Sequence, residues 1–225
     1  MNISRLWIPA LLIAAVAFGC DDTSKSDAQS GSTKADYTTE GELVFSDDFE
    51  RAEIGSDWVI GEGEDGPGDW RIEDGAVVGA DIKNDPLWLD RPLPEEVRVE
   101  FDVQARSPVG DIKIEIFGDG HTHESGYVLI FGGWKNSLDV IARLDEHGND
   151  RKSRETHGVV PGHTYRMAVE RTDGTLEWYV DGEPFMTYED PDPLEGEGHR
   201  HFAFNVWSAP VHFDNVAVYD LSNSR

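Results

Sequence analysis

Alternation of apolar and polar side chains dominates the chain from Glu42 to Leu221. Val97, Val99, Phe101 and Val103 alternate with Arg98, Glu100, Asp102 and Gln104, the period of a half-buried strand. Ile112, Ile114 and Ile116 repeat the pattern against Asp111, Lys113 and Glu115, as do Tyr165, Met167 and Val169, then Leu176, Trp178 and Val180. Asp173-Gly174 and Asp181-Gly182 supply hairpin turns between runs. Two further strand-like runs, Tyr127–Phe131 and Leu138–Leu144, are joined by Gly132–Ser137, which carries a Gly pair, a Trp and an Asn. No segment keeps a helical period. About a dozen short strands in this span predict an all-β domain, and a two-sheet antiparallel sandwich or jelly roll suits that spacing better than a closed barrel.

The first 41 residues follow a different logic. Arg5, the apolar run Leu6–Phe18 and Gly19-Cys20 read as an export signal too short to span a bilayer comfortably. Ala17-Phe18-Gly19-Cys20 resembles a bacterial lipobox, with a plain secretory signal as the alternative. Lipidation of Cys20 would explain why the single cysteine of the chain sits there, and one cysteine excludes a disulfide framework within the chain. Residues 21–41 are small and polar, and read as a flexible acidic tether. The expected organisation is a signal peptide over 1–20, a linker over 21–41, the β domain over 42–221 and a tail over 222–225. The expected location is the cell envelope of a bacterium, outside the cytoplasm and attached through lipid.

Charge narrows the partners. The 225 residues carry 19 basic and 45 acidic side chains, a net charge of −26, so a nucleic acid or an anionic bilayer surface is excluded as an electrostatic partner. Seven Trp and ten Phe within 38% hydrophobic content suffice for a packed core, which argues against global disorder. The domain is expected to act as a monomer.

Residues 43–58 (LVFSDDFERAEIGSDW), 69–79 (DWRIEDGAVVG), 176–185 (LEWYVDGEPF) and 211–221 (VHFDNVAVYDL) resemble the concanavalin A-like lectin/glucanase superfamily, with laminin G-like jelly rolls as relatives. Within it the likeness is to 3-keto-disaccharide hydrolase-like proteins, also described as family 16 glycoside hydrolase-like. It covers nearly all of 42–221 and implies a jelly roll that handles carbohydrate on its concave face.

Candidate chemistry falls into three sets. In the strand His201–Trp207, residues Phe202, Phe204 and Val206 share one face while His201, Ala203, Asn205 and Trp207 share the other. An aromatic plane beside an amide and an imidazole suits a sugar ring, although a solvent face with a packed Trp has the same pattern. Tyr127, Trp134, Asn136 and Arg143, with Glu146 nearby, lie in or beside the 132–137 connection and could share that surface. Trp58, Trp70 and Trp178 are assigned to the core, while the pattern leaves Trp88 open. Ordinary glycoside hydrolysis needs two flanking carboxylates. The Glu-x-Asp-x-x-Glu run of family 16 is absent, and Glu100, Asp102 and Glu115 on strand faces are as readily solvated side chains. A keto-sugar hydrolase would instead need a base next to the ketone, for which Glu115, His121 and His123 are candidates. The pairs His121/His123 and His199/His201 have a spacing that can hold a transition metal, without any zinc signature around them.

In VHFDNVAVYDL the apolar parity changes at Asp214-Asn215, which predicts a bulge. The superfamily likeness implies a structural Ca2+ there, with Asp48, Asp214 and the carbonyl of Gly75 as ligands; the alternative is an Asp214 that caps a turn or pairs with Arg51. Three functions remain open at this point. One is a carbohydrate-binding domain, another a glycoside or 3-keto-glycoside enzyme on the same fold, and the third a surface interaction module whose concave face is filled by its own loops.

Overall fold

The computed structural model describes residues 41–62, 68–156 and 158–224. The export signal, Cys20 and all but the last residue of the tether lie outside them. In chain order the strands are β1 (Glu42–Asp47), β2 (Trp58–Ile60), β3 (Asp69–Glu73), β4 (Ala76–Ala80) and β5 (Leu87–Leu89). Then come β6 (Val97–Ala105), β7 (Ile112–Gly118), β8 (Tyr127–Gly132), β9 (Leu138–Arg143) and β10 (Lys152–Glu155). The last five are β11 (Tyr165–Thr172), β12 (Thr175–Val180), β13 (Glu183–Glu189), β14 (His201–Val206) and β15 (Val211–Asp220).

They form two antiparallel sheets. One runs β13-β12-β11-β6-β15-β4-β3, with β1 added along the second half of β15; the other runs β10-β9-β8-β7-β14-β5-β2. The hairpins at Asp173-Gly174 and Asp181-Gly182 have positive φ at both residues, as a tight turn matched to strand twist requires. The parity change at Asp214-Asn215 coincides with a register shift against β6 and a φ of 50° at Asn215.

Period 2 decides what each sheet buries. Val97, Val99, Phe101 and Val103 of β6 face Ile112, Ile114 and Ile116 of β7 and Phe202, Phe204 and Val206 of β14 within one hydrophobic core. Its centre is aromatic. Phe204 stacks on Phe213 with centroids 4.2 Å apart and on Trp58 at 5.4 Å, and Phe101 meets Phe204 edge-on at 5.5 Å. Each fully buried ring contributes about 1.5–3 kcal/mol of transfer free energy. Trp58, Trp70 and Trp178 are buried here as their strands predict, and Trp88 is buried too. Trp88 has the opposite parity from Leu87 and Leu89 and packs outside the inter-sheet core against Gly118, where an added Cβ would meet the indole at 2.3 Å.

Candidate functional site

The outer faces of the two sheets carry the alternate, polar residues. On the second sheet these residues converge. Lys113 and Glu115 occupy the outward positions of β7 between three inward isoleucines, and Asn205 pairs with Lys113 from β14. All three are almost completely buried, with Lys113 at 2% exposure and Glu115 and Asn205 at 0%. Burial without partners would cost several kcal/mol for each charge, and three loops supply the partners.

The first loop, 119–126, folds back over β7. Asp119 Oδ1 accepts the backbone N–H groups of His121 and Thr122 and the Ser125 hydroxyl. Burial alone would raise the Asp119 carboxyl, but these donors outweigh it and leave it below the usual range. The turn so fixed places His123 Nδ1 2.7 Å from Glu115 Oε1, and the Glu124 N–H donates to Glu115 Oε2 at 2.9 Å. Asn205 Nδ2 donates to Glu115 Oε1 at 2.7 Å. The second loop follows β9, and there the Glu146 N–H donates to Glu124 Oε1 while Glu146 Oε2 accepts from Lys113 Nζ at 2.6 Å. From the third loop, 81–86, Asn84 Oδ1 accepts the same ammonium at 2.6 Å. Asp111, at the foot of β7, accepts the Trp207 N–H at 2.9 Å. Burial pushes the Asp111 carboxyl up, and nearby Lys113 offsets this only in part.

Two tryptophans border this cluster. Trp207 is 42% exposed, its backbone tied to Asp111 and, through its carbonyl, to the Lys83 N–H. Trp134 packs on a small apolar cluster of Val128, Ile130, Val140 and Ala142, with the Arg151 guanidinium 5.0 Å from its ring centroid and His147 edge-on at 5.6 Å. It sits in a left-handed turn in which Trp134, Lys135 and Asn136 have φ of 49°, 60° and 61°. Such residues cost about 1–2 kcal/mol each. Asn136 compensates by clamping both the N–H and the carbonyl of Val159.

The sequence-derived candidates therefore separate. Glu115, His123 and Asn205 meet in one hydrogen-bonded cluster, with Trp134 and Trp207 at its borders. His121 is exposed on the same loop, but its backbone is used by Asp119 and Glu62 rather than by the cluster. His201 is half-buried against Gly120, and burial lowers its imidazole pKa. Asn136 is occupied by Val159 and Pro108. Tyr127 and Arg143 require correction as residues of this surface. They point to the opposite side of their strands, where the Tyr127 hydroxyl donates to Asp190 at 2.7 Å, accepts the Leu194 N–H, and Arg143 pairs with the same aspartate at 2.9 Å. Tyr127 shares parity with Leu129 and Phe131 in the core.

The sequence reading missed Asn84, Lys113 and Glu124, and placed Glu146 only as a neighbour. Lys113 had a signal, since it alternates with the isoleucines; the other three ride on loops whose return path no periodicity encodes. Those loops also cover the floor, so the solvent-facing groups are His123, Glu124, His147, Arg151 and the two tryptophans.

The second candidate region lies on the first sheet. Asp214 sits in the β15 bulge and accepts the N–H and amide of Asn215, so it caps the bulge. Arg51 pairs with Asp47 instead. The Asp214 carboxyl is pushed up to about 6 by burial and then by Asp102, Glu50 and Asp48. Gly75, with φ of 76°, packs directly against the Glu50 carboxylate.

Two layered antiparallel sheets with this strand order define a concanavalin A-like jelly roll. Residues 85–218, more than half of the chain, match the family described as "Farnesoic acid 0-methyl transferase", and the protein belongs to that family. No curated protein matches the sequence. Among solved structures, the fold is similar to a carbohydrate binding module, CBM66, from Bacillus subtilis, with 16% identity, a TM-score of 0.60 and coverage of 75% of this chain and 98% of that one. It is also similar to a beta-glucanase of Bacillus licheniformis, with 13% identity, a TM-score of 0.57 and coverage of 81% and 99%. A sialidase matches with 14% identity and a TM-score of 0.60 over 81% of this chain, which spans only 19% of the sialidase. At these identities the likeness establishes the fold.

Proposed function

We propose that the domain binds carbohydrate on the outer face of the second sheet, between Trp134 and Trp207. The observation that carries this reading is that the buried Lys113, Glu115, Asn205 and Glu146 cluster fixes the loops that present His123, Glu124, His147 and Arg151 to solvent beside an exposed indole. The solvent-facing imidazole, carboxylate and guanidinium groups of His123, Glu124, His147 and Arg151 fit hydroxyls, and an indole face fits the C–H surface of a pyranose. The neighbouring carbohydrate binding module and glucanase support the same ligand class. The family description names methyl transfer to farnesoic acid, but a solvent-facing rim of His123, Glu124, His147 and Arg151 suits a hydroxyl-rich ligand better than a terpenoid chain. Glycan-array binding weakened at least tenfold by Trp207→Ala, with the fold intact by circular dichroism, is the expected result; unchanged binding removes the platform.

The second reading is an enzyme acting on glycosides or, like 3-keto-disaccharide hydrolases, on 3-keto-glycosides. It is favoured by the buried Glu115–His123 pair, in which the carboxylate orients an imidazole able to remove a proton next to a ketone. Sugar release abolished by Glu115→Gln would support it, and a substrate panel without product would count against it. The loops over the floor favour the third possibility, an interaction module without sugar or turnover, to the extent that no glycan binds. We further propose lipidation at Cys20 and an extracytoplasmic, monomeric protein. A structural Ca2+ is proposed for Asp48, Asp214 and the Gly75 carbonyl, where crowding of acidic groups around Asp214 fits a hard cation.

A further inference from the structure

The outer face of the second sheet holds more negative charge than its own residues balance. Asp111, Glu115, Glu124 and Glu146 gather there against Lys113 and Arg151, whose guanidinium donates to the Glu146 carbonyl rather than to a carboxylate. His123, Glu124 and Glu146 each offer a ligand atom within 4.8 Å of the others, and they are the one such group of three among the described residues. This is not an acidic cluster alone, because one donor is an imidazole held by a buried carboxylate. Glu115 Oε1 lies 2.7 Å from His123 Nδ1, and the tautomer that donates Nδ1–H to this carboxylate leaves Nε2 as the ligand nitrogen. A buried carboxylate behind an imidazole is how metal-binding histidines are oriented. Glu115 can do this because Asn205 and the Glu124 N–H also hold it. Glu124 and Glu146 are each fixed through one oxygen, by the Glu146 N–H and by Lys113 respectively, which leaves the second oxygen of each for coordination.

We infer that His123, Glu124 and Glu146 form a binding site for a divalent transition ion, with Glu115 as the residue that positions His123. One nitrogen and two carboxylate oxygens suit Zn2+ or Mn2+ better than Ca2+, which takes six to eight oxygens. The exposed ring of His147, with Nε2 3.7 Å from Glu146 Oε1, is the nearest additional donor. Three protein ligands leave coordination positions for outside oxygens. If the carbohydrate reading holds, those oxygens belong to the sugar, but the metal site itself does not depend on that reading.

The test uses the full chain carrying Asp214→Asn, so that the other candidate cation site is silent. After treatment with a chelator, the protein is titrated with Zn2+ by calorimetry and with Mn2+ by electron paramagnetic resonance. One ion bound per chain is expected, weakened at least 100-fold by His123→Ala and by Glu124→Gln, with folding checked by circular dichroism. Glu115→Gln should weaken Zn2+ by about 10- to 100-fold and shift the pH at which binding is half lost, which a merely structural carboxylate would not do. Absence of saturable binding, or equal affinity in the parent, His123→Ala and Glu124→Gln proteins, overturns the inference. Glycan binding measured with and without Zn2+ is a separate arm, and its failure touches the carbohydrate reading alone.

Discussion

The outer faces of the two sheets use the same alternation of apolar and charged residues but settle their charges differently. On the first sheet, Arg98 bonds Glu100 at 2.6 Å and Glu170, while Arg166 bonds Glu100 at 2.7 Å and Asp102 at 3.3 Å. Every carboxylate of that network meets a guanidinium. On the second sheet Lys113 is shared between Glu146 and Asn84, while Asp111 is held by a backbone N–H and Glu115 by an amide, a backbone N–H and an imidazole. The contrast is what the proposed ligand face of the second sheet rests on. Away from the Asp214 bulge, the closed ion-pair network of the first sheet offers a ligand no free acceptor, whereas the second sheet carries a surplus of fixed acceptors.

The largest effect expected from this comparison is on the closed side. Arg98→Ala leaves Glu100 buried without one of its two guanidinium partners and should destabilise the domain by about 3–5 kcal/mol in urea unfolding. Glu115→Gln, equally buried, leaves no charge without a partner but turns an amide N–H2 toward a fixed donor, and should cost less, about 1–3 kcal/mol. Equal losses in both variants would erase the distinction.

Next in size is Tyr127→Phe, which deletes a hydroxyl shared by Asp190 and the Leu194 N–H. It should cost about 1–2 kcal/mol of stability while leaving glycan affinity within about twofold. A tenfold loss of affinity would return Tyr127 to the ligand surface.

The two faces should also titrate with opposite sign. Burial pushes Glu100 up, but Arg98 and Arg166 outweigh it and hold the carboxyl below its usual range. Its contribution is therefore present above the unfolded-state pKa and lost as the pH falls through the folded value. Asp111 is raised, so its ionised form weakens the fold at neutral pH, and stability is regained as the pH falls through its folded pKa. Urea midpoints followed from neutral to acid pH should show Glu100→Gln losing stability at pH 7 and flattening the acid limb. Asp111→Asn should gain about 1 kcal/mol at pH 7. A loss in Asp111→Asn would mean that its charge is matched after all.

What the sequence disclosed follows from which positions had a periodic signal. Strands such as β6, β7 and β14 were readable because one face is apolar and the other polar, and the bulge at Asp214-Asn215 because parity breaks there. Glu115 and Asn205 were readable for the same reason. Tyr127 was misassigned because β8 is apolar on both faces, with Val128 and Ile130 on the outer cluster and Leu129 and Phe131 in the core, so alternation says nothing about direction. Asn84, Glu124 and Glu146 come from loops shaped by positive-φ residues such as Asn84, Glu124 and Leu144. Their meeting point depends on three-dimensional closure rather than on local pattern.

The central claim is that ligand engages the second sheet and not the first. Chemical-shift mapping by nuclear magnetic resonance, with the glycan identified on the array, tests it most directly. The account predicts shifts at His123, Glu124, His147, Asn205 and Trp207 with Arg98, Glu100 and Arg166 unmoved. Shifts confined to the first sheet, or spread equally over both faces, would contradict it.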